Sequence, residues 1–211
     1  MPIFRKILAI DTSRGDASVA LLEGSEIIAR GAAGPPAEAL LGLIDALREP
    51  SSFEPELVAV GLGPGSFTGT RVGLATAKAL AIARGLPIVG VCSLIGLARS
   101  RGDAEVALTS DAGRKQVYAA RYRLPDDAPA IELDAPRLEP LDAPHLGEHF
   151  AFGRTPVEDL AVWIGLEARL RVERDGPDDS AQVEPLYVRS SDAKLPDTPL
   201  AIHSSTSSKD A

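Results

Sequence analysis

The stretch LVAVGLGPGSFTGTRVGLATAKALAIAR, residues 57–84, carries the fold in three parts: a short apolar run, a glycine-rich turn and a helix of small residues. Leu57, Val58, Val60 and Leu62 lie between Pro55 and the turn that opens at Gly63, the pattern of a strand covered on both faces. Gly63, Gly65 and Gly69 permit close backbone approach, while Pro64 fixes one φ and has no N–H to donate. Ser66 and Thr68 place hydroxyls where a helix begins. A helix starting near Thr70 would leave its first N–H groups unpaired and its positive end facing the turn, a geometry that attracts phosphate or carboxylate. The Lys-Ser/Thr ending and the spacing of a nucleotide hydrolase's phosphate loop are absent, which argues against that class. Two readings of residues 63–69 therefore stand side by side, an anion-binding turn and a capped strand-to-helix connection.

The helix after the turn has its own signature. Gly69, Gly73, Ala77 and Ala81 recur every fourth residue and form one ridge nearly free of side chains, along which another helix can approach closely. Val72, Leu74, Ala75, Ala79, Leu80, Ile82 and Ala83 make most of the remaining surface apolar, and Arg71, Lys78 and Arg84 are its charged residues. A helix apolar nearly all round is covered on more than one side. The cover is either the chain's own core or another subunit.

Outward from this unit, residues 7–10 and 17–22 are apolar runs separated by Asp11-Thr12-Ser13-Arg14-Gly15-Asp16, which predicts a hairpin with a polar tip. Asp11, at the end of a central strand, suits either a metal-bound water or a turn organised by its side chain, and Thr12 or Ser13 suits a phosphate. A third strand is expected near residues 26–30. Ala37, Leu40, Leu41, Ile44 and Leu47 match one face of a helix over residues 37–48, and Leu43 widens that face. Residues 86–91 read as another buried strand and residues 94–99 as a helix, so residues 1–100 form an α/β lobe. Residues 101–195 are expected to form a shorter second lobe, and residues 196–211, with Ser204-Ser205-Thr206-Ser207-Ser208, a flexible tail.

Composition sets further bounds. The chain has 211 residues, 45% of them hydrophobic, enough for a sizeable core. Basic and acidic residues balance over residues 1–100, so the net charge of −8 belongs to residues 101–211. Such a balance argues against autonomous binding of nucleic acid, whose backbone rewards positive charge. The single cysteine, Cys92, excludes a disulfide framework and is expected to be buried rather than catalytic. No signal peptide precedes Ile7 and no apolar run is long enough for a bilayer, so a cytoplasmic protein without membrane contact is expected. Histidine is missing from residues 1–100, which removes a histidine-based metal or acid/base site there. His145 and His149 have helical i, i+4 spacing without the metalloprotease pattern between them, so neither a metal nor a cofactor is expected.

Four segments, residues 7–24, 60–94, 110–122 and 184–189, together resemble the TsaB family, also called YeaZ, most specifically through Gly63 to Lys78, GPGSFTGTRVGLATAK. The resemblance implies an actin-like ATPase fold (the ASKHA or ribonuclease H-like class) in two lobes, the second reduced. It also implies a noncatalytic scaffold that pairs with TsaD, is joined by the ATPase TsaE, and serves threonylcarbamoyl transfer to N6 of adenosine 37 in tRNAs reading ANN codons. RNA would be met only through the complex, and the isolated chain would be able to form a homodimer. On this reading Asp11, Thr12, Ser13, Gly63, Gly65, Ser66, Thr68 and Gly69 are a vestigial phosphate site. Leu40, Leu43, Leu47, Gly69, Arg71, Gly73, Ala77, Lys78 and Ala81 are expected at the partner interface. The competing reading is a small ATPase or small-molecule kinase of the same fold, which requires a second glycine-rich loop. The nearest candidate, Ser110-Asp111-Ala112-Gly113, continues with Arg114 and Lys115 instead, and Gly153 stands in a poor adenosine loop.

Overall fold

The computed structural model describes residues 4–143 and 157–188. The histidine pair 145/149, Gly153 and the segment 196–211 lie outside them. Five strands, β1 (Lys6–Asp11), β2 (Ala17–Glu23), β3 (Glu26–Ala33), β4 (Leu57–Gly61) and β5 (Ile88–Val91), form one sheet in the order β3-β2-β1-β4-β5. The first three strands are antiparallel neighbours, and β4 and β5 then add in parallel to β1 after helical crossovers. The crossovers are α1 (Pro36–Arg48) and α2 (Phe67–Arg84). A short α3 (Ser93–Arg99) leads to a three-stranded antiparallel sheet, β6 (Glu105–Gly113), β7 (Gln116–Arg123) and β8 (Ile131–Pro140), and α4 (Val157–Asp175) follows. The hairpin, the third strand and the 37–48 helix all stand where the sequence pattern places them.

Alternation along the central strands decides the layers. Leu8 and Ile10 of β1 and Val58 and Val60 of β4 pack with Leu40 and Ile44 of α1 and Leu74, Ala77 and Ala81 of α2. Ile7, Ala9, Leu57 and Ala59, one residue out of phase, pack with Ala161, Ile164, Ala168 and Val172 of α4. Successive side chains of a strand point to opposite faces, so an unbroken apolar run is what a sheet covered on both sides demands. Although α4 follows the second sheet in sequence, it lies on the first. The boundary expected at residue 100 therefore does not separate its packing from that of residues 1–100.

Two devices hold this arrangement. Gly165 brings α4 onto the sheet so closely that a Cβ there would meet the side chains of Leu22 and Ala9. Glu167, 1% exposed, pairs with Arg99 at the end of α3. Arg99 also donates to the carbonyls of Pro125 and Ala128, and Glu167 accepts from Ala130 N–H, so one buried pair fixes α3, α4 and the β7–β8 connection. Removing one member strands the other charge away from water. Glu167→Ala should lower unfolding free energy by about 3–5 kcal/mol, whereas Glu173→Ala, at the exposed pair with Arg169, should cost less than about 1 kcal/mol. Urea denaturation of both variants checks this, and equal small losses would refute it.

Candidate functional site

The site is built where β1 ends against the start of α2. Asp11 is the last residue of β1 and 1% exposed. Its Oδ1 accepts from Ser13 N–H at 2.8 Å and Ser13 Oγ at 2.7 Å, and its Oδ2 accepts from Ser93 Oγ at 2.6 Å. Ser93 Oγ in turn accepts from Gly63 N–H at 3.0 Å. Of the two sequence readings of Asp11, the structure shows the turn-organising one: every described bond of the carboxylate goes to this turn or to Ser93.

Thr12 and Ser13 then run across the glycine unit. Ser66 N–H donates to the Ser13 carbonyl at 2.6 Å, and Thr12 Oγ1 donates to the Gly69 carbonyl at 2.7 Å. Four glycines spaced by four residues face this turn. A Cβ at Gly61 would overlap the Asp11 carboxylate, one at Gly65 the Ser13 carbonyl, one at Gly69 the Thr12 carbonyl and one at Gly73 the Thr12 hydroxyl. Glycine is needed here for approach rather than for φ; Gly63, at φ +81°, is the turn residue that needs the left-handed region. The Gly63–Pro64 bond is cis.

Helix α2 begins at Phe67, three residues before the expected start near Thr70, because Ser66 caps it: its Oγ accepts from Gly69 N–H at 3.1 Å. The amides of Ser66 and Gly69 are thus spent inside the chain. Thr68 is exposed and takes no described part. What remains open is a polar cleft of about 260 Å³ between the two sheets, lined by Ser13, Arg14, Gly65, Ser66, Ser93 and Ser110 among others. Arg14 spans it, donating to Ser110 Oγ at 3.2 Å. The candidate second loop is the tip of the β6–β7 hairpin, where Gly113, Arg114 and Lys115 all have positive φ. No cluster of metal-ligating side chains occurs among the described residues. Cys92 is partly covered and its thiol is pushed up by burial, with Tyr122 Oη 3.5 Å away, so it is not a ready thiolate.

The expected partner ridge is corrected by its surroundings. Gly69, Gly73, Ala77 and Ala81 are buried against β1 and the sheet, inside the chain's own core. Leu40 is 1% exposed in the same core, and Leu43 and Leu47 lean on Gly31 of β3. The opposite side of α2, apolar as the sequence pattern predicts, is the one that faces outward. Phe67 (49% exposed) and Ile82 (73%) mark the ends of that outward face, with Arg71, Ala75, Ala79 and Ala83 exposed between or beside them and Lys78 half-buried at its flank. Tyr187, from the 184–189 segment, joins it: its hydroxyl accepts from Arg71 Nε at 2.8 Å, and its ring lies 5.7 Å from that of Phe67.

Residues 32–137, half of the chain, match the family model described as TsaD, tRNA N6-adenosine threonylcarbamoyltransferase, which places the mixed α/β fold in that class of domains. An uncharacterised protein of Mycobacterium tuberculosis is 38% identical over 157 residues, 70% of this chain and 68% of that protein. The tRNA threonylcarbamoyladenosine biosynthesis protein TsaB of Escherichia coli is 34% identical over 127 residues, 56% of this chain and 55% of that protein. YeaZ from Pseudomonas aeruginosa superposes with a TM-score of 0.70 at 25% identity, covering 86% of this chain and 99% of that structure. The chain belongs to the TsaB, or YeaZ, family. It spans about half the length of the named TsaB relatives it matches.

The geometry makes three measurable statements. Alanine would by itself favour the helix at Gly73 by about 1 kcal/mol, yet Gly73→Ala should destabilise the protein by about 1–3 kcal/mol through overlap with Thr12. Thr12→Ala, which removes the overlapping hydroxyl, should restore part of that loss in the double mutant. Thermal melts of the four proteins give the coupling, and additive losses would deny the contact. Ala77→Leu should likewise overpack the core and lower the urea midpoint.

A pH dependence follows from Asp11. Burial pushes its carboxyl above the ordinary carboxylate value, outweighing the hydrogen bonds from Ser93 and Ser13 and the attraction of Arg14. The stability this group contributes is present below its unfolded value and lost as pH rises through the folded one. Relative to Asp11→Asn, the natural protein should therefore lose stability as pH rises from about 4, the ordinary carboxylate value, toward neutrality. Denaturant midpoints of the pair across that range test it; a constant difference would show no shift.

Proposed function

We propose that this chain is a noncatalytic subunit of the machinery that attaches threonylcarbamoyl to N6 of adenosine 37 in tRNAs reading ANN codons. In this reading it has a reduced actin-like ATPase fold, pairs with a TsaD-family protein in the cytoplasm, and is joined by the ATPase TsaE, with tRNA met through the complex. The names of its relatives support the pathway. One observation supports the noncatalytic role: the turn that would receive a phosphate receives the chain's own Ser13 carbonyl and Ser66 hydroxyl instead. Meanwhile α2 presents an outward face of small and apolar residues, from Phe67 to Ile82, suited to another helix. That face replaces the inward ridge as the proposed partner surface, with Arg71 and Lys78 retained from the sequence expectation. The same surface would serve self-association of the isolated chain.

Depletion of the protein should abolish threonylcarbamoyladenosine in digested tRNA, read by mass spectrometry. Expression of the natural chain should restore it, and undiminished modification after depletion would reject the function. The polar cleft favours the competing ATPase reading, and calorimetry with ATP and magnesium decides it. No heat of binding is expected from the isolated chain, whereas micromolar affinity would replace the scaffold reading with an enzymatic one.

A further inference from the structure

Arg71 occupies an unusual place on the outward face of α2. Its guanidinium lies 3.8 Å from the centre of the Phe67 ring and 5.6 Å from that of Tyr187, while its Nε donates to the Tyr187 hydroxyl. Phe67 and Tyr187 are 49% and 50% exposed, and Leu186, 37% exposed, is the next residue of the same segment. That segment is fastened to the sheet through Leu186 N–H, which donates to the Leu62 carbonyl at 2.8 Å. Among the described residues no carboxylate pairs with Arg71, whereas Arg84 on the same helix is bound to Glu54 and Arg48 of α1 is bound to the same glutamate. With Nε bound to the Tyr187 hydroxyl and the guanidinium against the Phe67 ring, the two Nη nitrogens are what Arg71 has left to offer a bidentate acceptor.

We infer that Phe67, Arg71 and Tyr187 form the anchor of the partner surface, and that the protein docking there presents a carboxylate flanked by apolar side chains. This rests on the proposed function, which makes the outward face of α2 the docking face. Anchors of this composition, aromatic residues around an arginine already fixed in its bound rotamer, carry a disproportionate part of binding because little side-chain freedom is lost. The carboxylate is the complement of Arg71, the cluster's cation, which pairs with no acidic side chain among the described residues. A phosphate would match the fork equally, but the rest of the face argues for protein. From Phe67 to Ile82 the helix runs about 22 Å at ~1.5 Å per residue, and beyond Arg71 its exposed residues there are Ala75, Ala79 and Ile82. A nucleic-acid backbone would meet apolar surface along that length, with no excess of positive charge in residues 1–100 to hold it.

The test uses the full chain and the TsaD-family protein of the same genome, with affinity measured by calorimetry over a salt series. Arg71→Gln, an exposed change that should leave the melting temperature unmoved, should weaken binding by about tenfold or more. It should also flatten the salt dependence, because the charge pair is gone. Tyr187→Phe, which frees Nε but keeps the ring, should weaken binding less. Ile82→Glu, at the other end of the face, tests the docking face itself. Loss of binding in Ile82→Glu with Arg71→Gln unchanged in affinity and salt slope would overturn the anchor while leaving the face intact. No effect of either variant, or no binding by the natural chain, would overturn both. Binding of unmodified tRNA by the isolated chain that depends on Arg71, with protein binding unaffected, would overturn the carboxylate in favour of phosphate.

Discussion

Everything in the first sheet and its helices depends on one steric constraint: the turn Asp11-Thr12-Ser13 must lie directly against the backbone of Gly61, Gly65, Gly69 and Gly73. Backbone-to-backbone contact of this kind leaves no room for a Cβ, so it sets the distance between β1, β4 and α2 more narrowly than apolar packing does. Hydrogen bonds then fix the orientation. Ser13 accepts from Ser66, Ser66 caps the helix, and Thr12 reaches the Gly69 carbonyl. Asp11 closes the arrangement from below, tied to Ser13 on one side and through Ser93 to Gly63 on the other. A glycine run that looks made for a ligand is filled by the chain itself.

That filling has a functional consequence. A helix N-terminus binds an anion only if its amides are available, and here Ser66 and Gly69 have given theirs to the turn and the cap. The structure keeps a polar cleft and a buried aspartate while spending two of the donors at that turn, the Ser66 and Gly69 amides. On the proposed function, rigid seating of α2 also serves docking, since a helix fixed along one side offers its other side as a surface of defined shape. The Arg99–Glu167 pair extends the same rigidity to α3, α4 and the β7–β8 connection.

Much of this was legible in the sequence. Apolar runs at residues 7–10, 17–22 and 57–62, the 37–48 periodicity and the glycine turn define the elements because period and turn chemistry are local properties. The family resemblance also rested on a contiguous run. Legibility ended where a residue's role depends on what lies opposite. Gly69, Gly73, Ala77 and Ala81 were recognised as a surface for close approach, but a bare ridge does not say what approaches it, and the partner proved to be Thr12 and the chain's own sheet. Leu40 shared that fate. Ser66 was noticed as a hydroxyl near the helix start and not as the cap itself, which moved the helix three residues. Phe67 and Tyr187 were missed as a pair, since more than half of the chain separates them and neither stands out alone.

The amino-acid sequence by itself determined the elements, their order, the need for glycine at the turn and the family. These follow from short-range patterns that any tertiary arrangement must respect. Only the tertiary structure decided which side of α2 is inside, that α4 returns to the first sheet, and that the Ser66 and Gly69 amides are satisfied internally. An all-round apolar helix is degenerate with respect to rotation about its own axis. The contact between Thr12 and Gly73, made across the fold, breaks that degeneracy.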